Sequence, residues 1–178
     1  MTLGRLVRDG KQPQLVFTRE LAHPPEKVWR ALTQPEHLQA WFPDNVEGNF
    51  EPGGKLRFFS DALDFEFDGE VLAFEPPRLL EIRWGTDRLR FELDAAGVGT
   101  RLTLTDTFDE VGKAARDGAG WHECLDLLEA ALAGTAPDFA PGQRWGEVHG
   151  KYVEAFGPDA ATIGPPEGYD AGSSSSSG

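Results

Sequence analysis

The chain has 178 residues, enough for one domain and a tail, and carries 17 basic against 30 acidic side chains, a formal charge of −13. Such a surface repels phosphate backbones and anionic membranes, and the densest basic stretch, Arg83 to Arg90, is broken by Trp84 and Asp87, so neither nucleic acid nor membrane is expected as a partner. Cys124 is the one cysteine, which precludes an intramolecular disulfide; with no signal-peptide core and no apolar run of membrane-spanning length, a cytoplasmic protein is expected.

Leu3 to Arg8 and Leu15 to Ala22 read as strands joined through Asp9-Gly10, with Pro13 lengthening the loop. Pro24 and Pro25 suit a first helical turn, where a missing N–H costs nothing. Val28, Trp29 and Leu32 form an apolar stripe on the short helix that follows, and Pro35 opens a second one with Leu38, Trp41 and Phe42 facing inward. The period then changes to two. Val46, Gly48 and Phe50 alternate with polar residues, Pro52-Gly53-Gly54 turns the chain, and Lys55 to Ser60 returns. Glu66 to Glu75 is the next strand, ended by Pro76-Pro77 because proline cannot donate to a ladder. Leu80, Ile82 and Trp84 share a face, Gly85-Thr86-Asp87 turns, and Leu89, Phe91 and Leu93 lie opposite charged residues. After Ala95 to Gly99, residues Leu102, Leu104, Asp106 and Phe108 alternate with Arg101 and three threonines. Short turns throughout make the sheet an antiparallel meander.

Asp109 is placed to cap a helix beginning near Glu110. At about 100° per residue, Trp121, Cys124, Leu125, Leu128 and Leu132 share one side of it. Gly118 and Gly120 each cost roughly 1 kcal/mol in a helix interior, so a kink or restart capped by Asp117 is expected there, and Gly134 closes the helix. Trp145, Val148, His149, Tyr152, Val153 and Phe156 then recur at helical spacing. The expected organisation is one domain over residues 1–156, with its core in 15–133 and a helix at about 143–156 packed back on it. Residues 157–178, rich in Gly, Pro, Ser and Asp, are too poor in apolar surface to order and form a tail. One apolar helix face against one alternating sheet defines a two-layer α+β domain.

Linear motifs for chemistry fail one by one. Asp64, Glu66, Asp68, Gly69, Glu70 and Glu75 fall at calcium-loop spacing, but Pro76-Pro77 blocks an exiting helix and Phe65 and Phe67 alternate with the acids as in a strand. His122-Glu123 lacks the second histidine of a zinc site, since position 126 is Asp, and reads as a surface ion pair on the flank of the helix. There is no G-x-S-x-G elbow and no phosphate loop, and Cys124 on an apolar face is an inert small hydrophobe. No catalytic residue, metal or cofactor is assigned. Asp106 stands out because alternation puts a carboxylate on the inner face. Either it reaches water at a sheet end, or it pairs with Arg90 or Arg101, or it is the polar anchor of a cavity.

The run Ala22-x-x-Pro25-x-x-Val28-Trp29-x-Ala31-Leu32-Thr33-x-Pro35-Glu36-x-Leu38-x-x-Trp41 resembles the START-like (SRPBCC) superfamily. So do Pro52-Gly53-Gly54-Lys55-Leu56-Arg57-Phe58, Gly99-Thr100-Arg101-Leu102-Thr103-Leu104-Thr105 and Gly120-Trp121-x-x-x-Leu125-x-x-Leu128. Within it, the chain is most similar to the branch related to the activator of the 90-kDa heat-shock protein's ATPase. The resemblance implies a helix-grip fold: a curved antiparallel sheet around a long C-terminal helix, with two short helices after the first long strand. The superfamily includes lipid and hormone carriers, polyketide cyclases and co-chaperones, and shares no catalytic constellation. The eukaryotic co-chaperone carries a further N-terminal domain for which this chain leaves no room.

The function expected from these readings is non-catalytic binding of a small apolar or amphipathic ligand in a cavity between sheet and helix. Trp41, Phe58, Phe67, Trp84, Phe91, Trp121 and Leu125 would line it, with Asp106 at its wall or mouth. A protein-interaction module and a cavity enzyme of cyclase or hydrolase type, with Asp106 or a histidine moving protons, are the alternatives.

Overall fold

The computed structural model describes residues 2–165. Its elements are β1 (Arg5–Val7), β2 (Gln14–Leu21), α1 (Pro25–Thr33), α2 (Pro35–Leu38), β3 (Asn45–Gly48), β4 (Lys55–Ser60), β5 (Phe65–Glu75), β6 (Leu79–Trp84), β7 (Asp87–Ala96), β8 (Gly99–Thr107), α3 (Ala114–Ala133) and α4 (Gln143–Phe156). The strands form one eight-stranded antiparallel sheet in the order β1-β2-β8-β7-β6-β5-β4-β3. β3 to β8 are the anticipated meander, and β8 then closes against β2, from Gln14 opposite Thr107 to Leu21 opposite Thr100. The sheet grips α3, and α1 and α2 span the gap between β2 and β3. This is the α+β helix-grip fold.

The alternation read from sequence sorts the two faces. Leu15, Phe17, Leu56, Phe58, Val71, Leu80, Ile82, Leu89, Phe91, Leu102 and Leu104 are buried inward against Trp121, Leu125, Leu128 and Leu132 of α3. Outward, charges pair across strands: Arg57 with Glu66 at 2.6 Å, Lys55 with Glu70 at 3.3 Å, Arg90 with Glu81 at 2.9 Å and Arg101 with Glu20 at 2.7 Å. The acid-rich stretch that imitates a calcium loop is therefore mostly β5, with Glu66 and Glu70 paired across strands and Glu75 with Arg78 in the turn that follows.

Three local expectations are corrected. α3 does not start at Asp109; a 3₁₀ turn over Val111–Lys113 precedes it, and Asp109 pairs with Lys113 at 3.2 Å instead. Nor does the helix restart at Gly118. A Cβ there would stand 3.1 Å from Tyr152 and 3.3 Å from Phe156, so the missing side chain is what lets α4 close onto α3. His122 is not at the surface. It is buried, its Nδ1 lies 2.8 Å from the Tyr152 hydroxyl, and that hydroxyl accepts the Gly4 N–H at 2.9 Å. Burial, then the charge of Arg19, pushes the His122 pKa down to about 4, so the ring is neutral at physiological pH. Its helix neighbour Asp126 serves Arg19 at 2.6 Å and Arg144 in a shorter contact. The wheel misled because α4 covers the flank that an isolated helix would expose.

The ordered body also runs past Phe156. Pro158–Ala161 form a 3₁₀ turn with Ala160 buried, the Ile163 N–H donates to the Gly112 carbonyl at 3.1 Å, and Asp159 meets Arg8 at 2.5 Å. The expected boundary at 157 is thus too early, because small residues docked by backbone bonds need no apolar periodicity. The serine-rich terminus lies outside the described residues.

Leu125→Ala removes a side chain buried in the grip and should cost about 2–5 kcal/mol, read by denaturant unfolding. Ending the chain at Phe156 should lower stability by about 1–2 kcal/mol, a shift of several degrees in Tm, relative to a chain ending at Pro165.

Candidate functional site

Acidic and aromatic side chains meet at one end of the grip, where the β6–β7 hairpin, the end of β8, the first half of α3 and the loop after α2 converge. Strand alternation explains two of them. Asp87 pairs with Trp84 across the hairpin and shares the inner face with Leu89 and Phe91, and Asp106 shares it with Leu104 and Phe108. Helical spacing explains two more, since Asp117 and Trp121 lie one turn apart on α3.

Asp106 is 0% exposed. The Trp121 indole Nε1–H donates to its Oδ2 at 3.0 Å, and Oδ1 has no hydrogen-bond partner. Asp87 and Asp117 complete a trio in which one oxygen from each lies within 4.8 Å of the others. Burial first, then the Asp87 charge, raises Asp106 well above the usual carboxylate range. Burial also raises Asp87, and raises Asp117 against the opposing effect of Arg116, whose Nε is 2.8 Å away. Two sequence readings of Asp106 fall here: it does not reach water, and Arg90 and Arg101 are on the opposite face with glutamates. Asp87, read as a turn residue, and Asp117, read as a cap, belong to the cluster instead. The period-two step from Leu89 back to Asp87 was the available signal for the first.

A second indole–carboxyl pair lies beside the first. Trp84 Nε1–H donates to Asp44 Oδ2 at 2.8 Å, and burial raises Asp44 to about 6 despite that bond. The two indoles meet edge to face at 5.4 Å. Phe42 touches both, at 6.0 and 5.9 Å, and leans on Phe58 at 5.8 Å. Phe58 stacks on Phe67 at 5.4 Å, and Phe67 on Phe65 at 5.8 Å. A run of rings thus leads from half-buried Phe65, Phe67 and Trp84 at the rim into the core, and Leu63 in the turn before β5 is 52% exposed. Phe42 and Phe65, read from sequence as inward-facing and strand residues, and Asp44 were not among the residues expected to line a site.

The expected ligand cavity is not open. The space left among Trp41, Phe42, Phe58, Leu80, Ile82 and Phe91 is about 10 Å³, at the lower limit for one water molecule. Trp41, whose indole donates to the Ala31 carbonyl at 2.9 Å, is core, as are Phe58, Phe91 and Leu125. Phe67, Trp84, Trp121 and Asp106 are brought together at the acidic end. Phe42 and Trp121, both buried, meet within the concavity at 5.9 Å. Cys124 is buried nearby, and burial pushes its thiol pKa up, which keeps it from acting as a nucleophile.

A curved antiparallel sheet closed around one long helix, with its polar groups at the open end of the grip, defines a START-like helix-grip domain. A family model described as Activator of Hsp90 ATPase homolog 1-like protein matches residues 22–133, and the chain belongs to that family. Among solved structures it is similar to EF2215, a conserved protein of unknown function from Enterococcus faecalis (24% identity, 85% of this chain and 88% of that one, TM-score 0.70). It is also similar to CalU16 from Micromonospora echinospora (25%, 89% and 91%, 0.68) and to MLL2253 from Mesorhizobium loti (29%, 69% and 98%, 0.60). No curated protein matches the chain by sequence. No helix among the described residues is long and apolar enough to cross a membrane.

Asp44 carries a pH dependence. Its folded pKa of about 6 lies above its ordinary 3.8, so the stabilising protonated form is kept below the lower value and lost as pH rises through the higher one. Asp44→Asn retains an acceptor for Trp84 and removes this loss. The variant should be more stable than the parent at about pH 8 by on the order of 1–2 kcal/mol, discounted for partial exposure, with the difference vanishing near pH 4.

Proposed function

We propose that the chain binds a small amphipathic molecule, an apolar body carrying a hydrogen-bond donor, at this aromatic rim, and does no chemistry on it. The observation that carries the reading is the Trp84–Asp44 pair. It is a carboxyl poised to accept, set under a half-buried indole that meets the ring of Phe67, on which Phe65 stacks in turn. A few polar groups within an apolar lining is the usual make-up of a small-molecule site. Because the interior is filled, the ligand enters by displacing rings at the rim. Edge-to-face ring pairs contribute only about 0.5–1.5 kcal/mol beyond their burial, so Phe42 or Trp84 can swing aside for a ligand that replaces those contacts. The superfamily's carriers support the same reading.

The filled interior also favours a second reading, a protein-interaction module of co-chaperone type. Leu63 and Leu72, the latter at the irregularity in β5, would supply apolar contacts on a surface otherwise charged.

The indole N–H resonances of Trp84 and Trp121 separate the two. Titration with 4-propylphenol should shift the Trp84 signal more strongly than propylbenzene does, and Asp44→Leu should abolish that preference while leaving the weaker response to propylbenzene. Native mass spectrometry of protein purified from its own host should show a retained small molecule. No shift with either probe and no adduct would leave the interaction module as the function.

A further inference from the structure

We infer that Asp87, Asp106 and Asp117 form a binding site for one hard divalent cation of calcium size, at the end of the grip beneath the first half of α3. Their three contributing oxygens lie within 4.8 Å of one another. Ligands of a calcium ion, each at about 2.4 Å, are at most about that far apart, and three converging carboxylates suit calcium's flexible oxygen shell better than magnesium, which keeps most of its waters.

Clustering alone would mean little on so acidic a chain. The independent sign is the unpartnered oxygen. Asp106 is wholly buried, its one N–H donor, Trp121, engages Oδ2, and Oδ1 is left without a donor unless a proton is shared with the neighbouring Asp87 carboxyl. A buried acceptor left without a partner is rare and calls for an occupant. The surrounding cations do not supply one. Arg116 is bonded to Asp117, Lys113 is bonded to Asp109 at 3.2 Å although its charge reaches Asp87, and Arg90 and Arg101 are on the outer face. The trio thus gathers three carboxyl groups with one basic group in direct contact.

The donor set selects the ion. All three ligands are carboxylate oxygens, and the nitrogen and sulfur ligands of the same helix face elsewhere: His122 is tied to Tyr152, and Cys124 is buried on its own. Asp117 is only half-buried and Asp87 retains 7% exposure, which gives an ion a way in and room for water to complete its coordination. The competing occupant is a proton shared between Asp87 and Asp106, which would satisfy Oδ1 with no metal. This inference does not rest on the ligand reading, since Asp44 and the rim rings take no part in it.

Terbium(III), a luminescent substitute for calcium, tests it on the intact chain. With Trp121 hydrogen-bonded to a ligand carboxylate, indole excitation should produce terbium emission that calcium displaces, with magnesium displacing it far less well. Calcium titrated by calorimetry should bind once, with a dissociation constant of about 10⁻⁵–10⁻³ M. Asp106→Asn and Asp117→Asn, both isosteric and relieved of charge, should fold and lose at least tenfold in affinity, while Glu66→Gln on the outer face of the sheet should leave it unchanged. Emission that survives both Asn variants would come from surface carboxylates and overturn the site. Equally, no calcium heat in the millimolar range, with the Asp106→Asn variant more stable than the parent in chelator, would assign the gap to a shared proton.

Discussion

The hydrogen bond from Trp121 to Asp106 is the constraint on which the interior of this protein turns. A carboxyl group on the inner face of a sheet must find a donor, and the indole N–H is a donor that cannot also accept. The bond ties the middle of α3 to the end of β8 and so sets the depth and rotation of the helix in the grip. With the indole held there, its ring falls against Phe42 and Trp84, and the concavity that a curved sheet would leave open is filled. The same bond uses only one oxygen of Asp106. The closed core and the unsatisfied acid are therefore two results of one contact.

The two halves of α3 show what neighbours do to the same residue type. In the second half, Asp126 sits between Arg19 and Arg144, and buried His122 and Tyr152 satisfy each other and the backbone of Gly4. That network joins β2, α3, α4 and the N-terminal segment, and leaves little for a ligand to complete. In the first half, Asp87, Asp106 and Asp117 are gathered with too few cations. Burial raises the proton affinity of all three, and perturbed acids gathered at one place mark a candidate functional site. The contrast is why the site is assigned to one end of the helix and not to the other.

Much of the fold was legible in the residues themselves. Alternation in β4 to β8, the prolines opening α1 and α2, the proline pair after β5 and Gly134 after α3 are local signals, and local backbone chemistry decides them. The strand alternation even placed Asp106 on the inner face. What alternation could not say was whether a partner stood opposite. The pairing of Asp106 with Trp121, the burial of His122 under α4, the docking of residues 158–163 and the filling of the cavity by Phe42 all join residues far apart in the chain. Asp87 and Asp117 looked like turn and cap residues because those roles are set by immediate neighbours. Their place beside Asp106 is set by how the helix lies across the sheet. Periodicity determines which way a side chain points; only the packed layers decide what it meets there, and so which of this protein's many carboxylates are left in want of a partner.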